Sequence, residues 1–96
     1  MKKVDANHKM IVEGLRAVGA GVQSIATIGK GVPDLLVAFR GRWYIAEVKD
    51  GNKSPSHRAL TAAERKWHDE FMWKAPVHVW ESLDEALKAI GASLKP

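Results

Sequence analysis

Two acids bracket a hairpin in this chain, and their spacing limits what it can fold into. Gly31-Val32-Pro33-Asp34 opens one apolar run, Leu35 to Phe39. Arg40-Gly41-Arg42 follows, and a second run, Trp43 to Ala46, leads into Glu47-Val48-Lys49. Two short apolar runs joined by a glycine-bearing turn predict a β-hairpin, with strands over about 34–39 and 43–49. With the turn at Arg40-Gly41, Phe39 pairs with Arg42, 36 faces 45 and 34 faces 47. Asp34 and Glu47 then stand opposite each other, with Cβ atoms about 4.5–5.5 Å apart. Alternation along the strand puts Lys49 on the face of Glu47 and Val48 on the other. Opposed carboxylates repel, and a divalent cation between them removes that cost. A lysine beside such a cation points to hydrolysis of a phosphate ester.

Both faces of the hairpin carry apolar side chains. Leu36, Ala38, Trp43 and Ile45 share one, and Leu35, Val37, Phe39, Tyr44, Ala46 and Val48 the other. The hairpin is therefore predicted to be central in its sheet and covered on both sides. Ahead of it, Ile11, Val12, Leu15 and Val18 recur at helical spacing, with Asp5 or Asn7 as cap and Gly19 or Gly21 as stop. Val22 to Ile28 predicts a strand, and Gly29-Lys30-Gly31 a turn. After it, Asp50 to Ala59 predicts a polar loop. Thr61-Ala62-Ala63-Glu64 is a capping box opening a helix to about Trp73. Val77 to Trp80 predicts a strand. Ser82-Leu83-Asp84-Glu85 is a second capping box, followed by the stripe Leu83, Ala86, Leu87 and Ile90 and a stop at Gly91. The order is α-β-β-β-α-β-α, and 96 residues with no internal boundary make one α/β domain, 1–96.

Composition excludes several classes. There is no cysteine, hence no disulfide framework and no thiolate metal site, which fits a reducing cytoplasm. No apolar run approaches the ~20 residues of a membrane span. Met1-Lys2-Lys3 is followed by a polar stretch, so no signal peptide is expected. The four histidines, at 8, 57, 68 and 78, lack zinc-ligand spacing. Net charge is +4, a moderate bias toward polyanions. Its distribution says more: Lys30, Arg40, Arg42, Lys53, His57, Arg58, Arg65 and Lys66 all flank the acidic hairpin. Bases placed around central acids suit a site that cuts a phosphate backbone.

Pro33-Asp34 with Glu47-Val48-Lys49 resembles the PD-(D/E)xK nuclease superfamily. More narrowly, the chain is similar to small stand-alone VRR-NUC domains of bacterial viruses. The resemblance runs through Asp5-Ala6-Asn7, Ile11-Val12, Leu15-Arg16, Gly29 to Val37, Glu47 to Gly51, Leu60-Thr61, Trp67-His68 and Asp84 to Leu87. It implies a restriction-endonuclease-like αβββαβ core, a mixed central sheet flanked by helices, here with an added C-terminal helix. It also implies a cytoplasmic setting, in a bacterial host or encoded by a phage, with no organic cofactor and no membrane partner.

The resemblance implies a site as well. Asp34, Glu47 and the main-chain carbonyl of Val48 would hold Mg²⁺ or Mn²⁺, and Lys49 would orient the attacking water or stabilise transition-state charge. Relatives often carry a Glu just before the Ile-Val pair, where this chain has Met10. Glu13, one turn later, is the candidate substitute. Relatives also often carry a Gln after the Leu-Thr opening, where this chain has Glu64, leaving open whether Glu64 does more than cap its helix. Lys30, Lys53 and Arg58, with Gln23, Arg40 and Arg42, are candidate DNA contacts. The implied function is a metal-dependent, structure-selective DNA endonuclease acting on branched DNA as a homodimer, in the manner of a Holliday-junction resolvase. The alternatives are a flap or nicking nuclease of a replication or packaging assembly, and a catalytically inactive DNA-binding subunit.

Overall fold

Ile11 and Leu15 lie one helical turn apart and are completely buried, and they seat the first helix, α1 (Ala6–Ala17), on the body of the protein. The structure, a computed structural model, describes residues 6–93. The cap candidate Asp5 lies outside that range. Asn7 is not a cap. It sits inside α1, and its side-chain amide donates to the carbonyls of Lys49 (2.8 Å) and Glu81 (3.4 Å). The helix closes as expected: Gly19 takes a φ of 92°, and the N–H of Ala20 returns to the carbonyl of Leu15.

Strand β1 (Gly21–Ser24) is shorter than its β-branched sequence predicts, and a 3₁₀ turn, Ala26–Ile28, replaces its second half. Pairing with the next strand stops at Ser24↔Leu35. Ile25 then donates to the carbonyl of Asp34 at 2.8 Å, and Ala26 is buried where the chain folds back. Strands β2 (Leu35–Phe39) and β3 (Arg42–Val48) form the expected hairpin in the expected register, Phe39↔Arg42 through Leu35↔Ala46. Arg40 and Gly41 both have positive φ, 48° and 80°, the tight turn whose twist matches the flanking strands.

The polar segment that follows contains one helical turn, α2 (Pro55–Arg58), where the sequence predicts only loop; Pro55 supplies a preset φ at its first position. Helix α3 (Ala62–Phe71) carries the complete Thr61/Glu64 capping box but ends two residues before Trp73. The N–H groups of Lys74 and Ala75 both fold back to the carbonyl of Phe71, ahead of Pro76. Strand β4 (His78–Trp80) starts one residue after the predicted Val77. Helix α4 (Leu83–Ile90) ends at left-handed Gly91. Its box is only half made. Ser82 accepts from the N–H of Glu85, but the Glu85 carboxylate reaches the N–H of Glu81 at 3.3 Å instead of that of Ser82.

The sheet order is β1-β2-β3-β4, with the first two pairings antiparallel and β3–β4 parallel. The hairpin is thus central and the sheet mixed. One face packs on α1 and α4, where Leu35, Val37, Ala46 and Trp80 meet Ile11, Leu15, Ala86, Leu87 and Ile90. The expectation that both faces are covered is corrected. On the other face Leu36, Ala38 and Ile45 are only half-buried and Trp43 is 71% exposed. The reason is length: the ten-residue α3 reaches the end of the hairpin where the acids lie, not its turn. No helix among the described residues is long and apolar enough to cross a membrane.

Candidate active site

Asp34 is delivered by a loop of unusual backbone. Gly29, Lys30 and Gly31 take φ values of 72°, 56° and 81° in succession. Only the two glycines enter that region without cost. Gly31 is required on a second count, because a Cβ there would lie 2.1 Å from the carbonyl oxygen of Ala63. The loop therefore touches the first turn of α3. Beyond it Pro33 is buried, and Asp34 is clamped from both sides. Its carbonyl accepts from Ile25 and its N–H donates to the Ala46 carbonyl at 3.0 Å. Its carboxylate Oδ2 accepts from the N–H of Val48 at 2.8 Å. The regular ladder ends at Leu35↔Ala46, and one step beyond it Asp34 bonds to both chain neighbours of Glu47. The expected opposition of 34 and 47 takes this bracketed form.

Glu47 sits in the middle of the sheet, with β2 on one side and Val79 of β4 on the other. Its exposure is 1% and that of Asp34 is 3%. Two acids this deeply buried, one just before β2 and one on β3, carry a desolvation cost.

Lys49 follows at the end of β3. Its backbone is fixed by Trp80, which accepts from its N–H at 3.0 Å, and by Asn7, which donates to its carbonyl. Its Nζ donates to Glu64 Oε1 at 2.7 Å, with the two side chains 13% and 8% exposed. This buried ion pair is the feature that sequence reasoning missed, since the capping box accounts for Glu64 locally and gives no sign of Lys49. His68, one turn on from Glu64, is also buried, and its Nε2 lacks a hydrogen-bond partner among the described residues. Burial holds its imidazole below the ordinary pKa of 6.5. The carboxylates of Glu64 and Asp69 oppose that shift, and Arg65 and Lys49 add to it.

The remaining candidates are spread more widely. Glu13 is on the solvent side of α1, 65% exposed and 4.0 Å from Lys9, and is not gathered with the buried acids; Met10 is exposed too. Gln23 is exposed and donates to the neighbouring Ser24 carbonyl. Lys30 and Lys53 are exposed, and no ion pair among the described residues holds them. Arg58 is half-buried and donates to Glu81 Oε2 at 3.5 Å. Arg42 is exposed at the far end of the hairpin. There Arg40 lies 4.9 Å from the Phe39 ring centre and donates to the Gly91 carbonyl at 3.5 Å, tying the turn to the end of α4.

No group of three or more His, Cys, Asp or Glu side chains among the described residues gathers at one point. A cation held by Asp34 and Glu47 would complete its shell with main-chain oxygen, water or substrate. Carboxylates few in number with sites left for water suit a hard divalent ion such as Mg²⁺ or Mn²⁺.

No protein-family model matches the chain, and no functionally curated protein does. Among solved structures, the chain is similar to one described as a VRR_NUC domain. The two are 32% identical with a TM-score of 0.62, over 86% of this chain and 88% of the other.

Proposed function

Because the chain belongs to the VRR-NUC family of PD-(D/E)xK nucleases, we propose that it is a metal-dependent DNA endonuclease, selective for branched DNA in the manner of a Holliday-junction resolvase. The observation that carries this reading is the pair of buried carboxylates, Asp34 just before β2 and Glu47 on β3, with Lys49 directly after β3. Two buried carboxylates can hold a divalent cation, and a lysine close by can meet the phosphate that such a cation would bind.

In this proposal Asp34, Glu47 and the Val48 carbonyl hold Mg²⁺ or Mn²⁺. When bound, such an ion supplies Lewis-acid polarisation of the phosphate and a water of lowered pKa. Asp34, with one oxygen tied to the Val48 N–H, presents its carboxylate in a fixed orientation. Lys49 places an ammonium beside the phosphate, where charge grows as the phosphodiester is attacked. Lys30 and Lys53, free of ion pairs among the described residues, engage backbone phosphates; Arg58 joins them when it leaves Glu81.

A resolvase makes two cuts and needs two sites, so the active species is proposed to be a two-fold homodimer. The exposed aromatics support this. Trp73 is 87% exposed, Trp43 is open on the uncovered sheet face, and exposed Phe71 stacks at 4.3 Å on half-buried Trp67 of α3. Sedimentation that found only a 10.6 kDa species, with and without DNA, would refute the dimer.

Cleavage of labelled four-way junction, flap, nicked and linear DNA with Mg²⁺ or Mn²⁺ tests the whole reading. Symmetric paired nicks in the junction are expected. Cleavage of flaps alone would instead assign it a flap-processing role in a replication or packaging assembly. Binding without cleavage would make it an inactive DNA-binding subunit.

A further inference from the structure

We infer that Glu64 is a positioning residue for Lys49, an assignment that rests on the nuclease reading and extends it to a residue on a separate helix. A lysine side chain has four rotatable bonds, and at the edge of an open site it would sample many positions. Here one partner fixes it. Glu64 Oε1 lies 2.7 Å from Lys49 Nζ and is itself held by the N–H of Thr61 at 2.9 Å. The Thr61 hydroxyl accepts from the N–H of Glu64 at 3.2 Å, so the carboxylate is locked at both its backbone and its head. An acid in an ordinary capping box faces solvent. This one is 6% exposed.

The surroundings keep the pair together. Gly31 touches the Ala63 carbonyl, so the loop that delivers Asp34 rests against the turn that carries Glu64. His68 fills the next turn of α3 and is buried. An ammonium has three N–H donors. Glu64 takes one, which leaves two to face water and phosphate from a defined point. Glu64 thus acts on the reaction only through Lys49. A glutamine at this position keeps an oxygen able to accept from both Thr61 and Lys49, so the geometry survives loss of the charge.

The test compares the full-length wild type with Glu64→Gln, Glu64→Ala, Lys49→Ala and the Glu64→Ala/Lys49→Ala double variant on the DNA that the wild type cuts. Misplacing a reacting group by about 1 Å costs up to roughly 10²-fold, so Glu64→Ala is expected to lower kcat about 10- to 100-fold. KM for DNA and the affinity for Mn²⁺ by calorimetry should stay level. Glu64→Gln is expected to remain within a few-fold of wild type, and the double variant to match Lys49→Ala. A readout independent of activity is the ¹H–¹⁵N signal of the Lys49 ammonium, slowly exchanging in the wild type and lost in Glu64→Ala. If Glu64→Ala does not fold, Glu64→Asp replaces it, because the shorter acid keeps the charge and loses the reach; it too should lower kcat. Wild-type kcat in either variant, or a Glu64→Ala loss that adds in full to that of Lys49→Ala, overturns this inference alone. A wild type that cuts no tested DNA overturns the nuclease reading together with it.

Discussion

The two faces of the central hairpin are built from similar apolar residues and end in opposite conditions. The face against α1 and α4 is dry and closed, with Leu35, Val37 and Ala46 fully buried among Ile11, Leu15 and Ala86. On the other face the fully buried side chains are charged: Asp34 and Glu47, with the Lys49–Glu64 pair beside them. The apolar residues there are half-covered, and Trp43 stands in solvent. The apolar core and the proposed site are therefore separated by the thickness of one sheet. The closed face supplies burial. The open face spends part of it on desolvated charge.

That separation can be broken or sharpened by experiment. The largest effect belongs to the acids. Asp34→Asn or Glu47→Gln should lower cleavage by at least about 10²-fold, while circular dichroism and the thermal midpoint stay level or improve as carboxylate repulsion is relieved. A variant that still cut at near wild-type rate would remove that residue from the site. The converse change lies on the closed face. Leu15→Ala, at a completely buried position, should cost about 2–5 kcal/mol in urea unfolding with unchanged kcat per folded molecule. A fall in kcat would show that the two faces are coupled.

Gly31→Ala tests the seam between them. Its positive φ and its closeness to Ala63 predict a loss of about 1–3 kcal/mol together with reduced activity, since α3 must shift and carry Glu64 with it. A smaller effect is expected from surface charge. Alanine at Lys30, Lys53 and Arg58 should weaken DNA binding evenly across sequences and flatten the log–log salt slope by about 0.9 for each phosphate that is no longer neutralised. Alanine at Arg40 and Arg42, about five residues of strand or roughly 17 Å away, should do less. A larger effect at the turn would move the DNA path along the hairpin.

The smallest effect concerns pH. Burial lowers the pKa of His68 and of His78 from 6.5. The unfolded chain therefore takes up protons at these positions before the folded one does. Their neutral, desolvated state is fully favoured above about pH 6.5, and stability is lost as pH falls from there through the lower folded values. Urea midpoints measured from pH 7.5 to 5 should decline for the wild type and decline less for His68→Gln. Equal slopes would mean that His68 is hydrated in solution.

The hairpin was legible because its signals are local. Arg40-Gly41 sets the turn, the turn sets the register, and alternation then places Asp34, Glu47 and Lys49 on the same side of the sheet with no knowledge of the rest of the chain. The Thr61 and Ser82 caps and the stop at Gly91 were legible for the same reason, each being a bond within one helical turn. What the sequence misplaced depends on distant partners. β1 ends early because Ile25 is claimed by Asp34, and Asn7 leaves its capping role because the carbonyls of Lys49 and Glu81 lie above it.

The sequence by itself thus determined the strand order of the hairpin, the spacing of its acids and the starts of α3 and α4, because turn geometry, capping and side-chain periodicity act over a few residues. Only the tertiary structure decided that Glu64 belongs to Lys49, that Glu13 stays in solvent while Asp34 and Glu47 are buried, and that one face of the sheet remains open. Those outcomes depend on how closely separate segments approach, and above all on the close approach at Gly31 that brings α3 against the loop leading to Asp34. An ion pair spanning fifteen residues of chain has no local signature. It exists because the fold brings its two charges together where little water remains to compete for them.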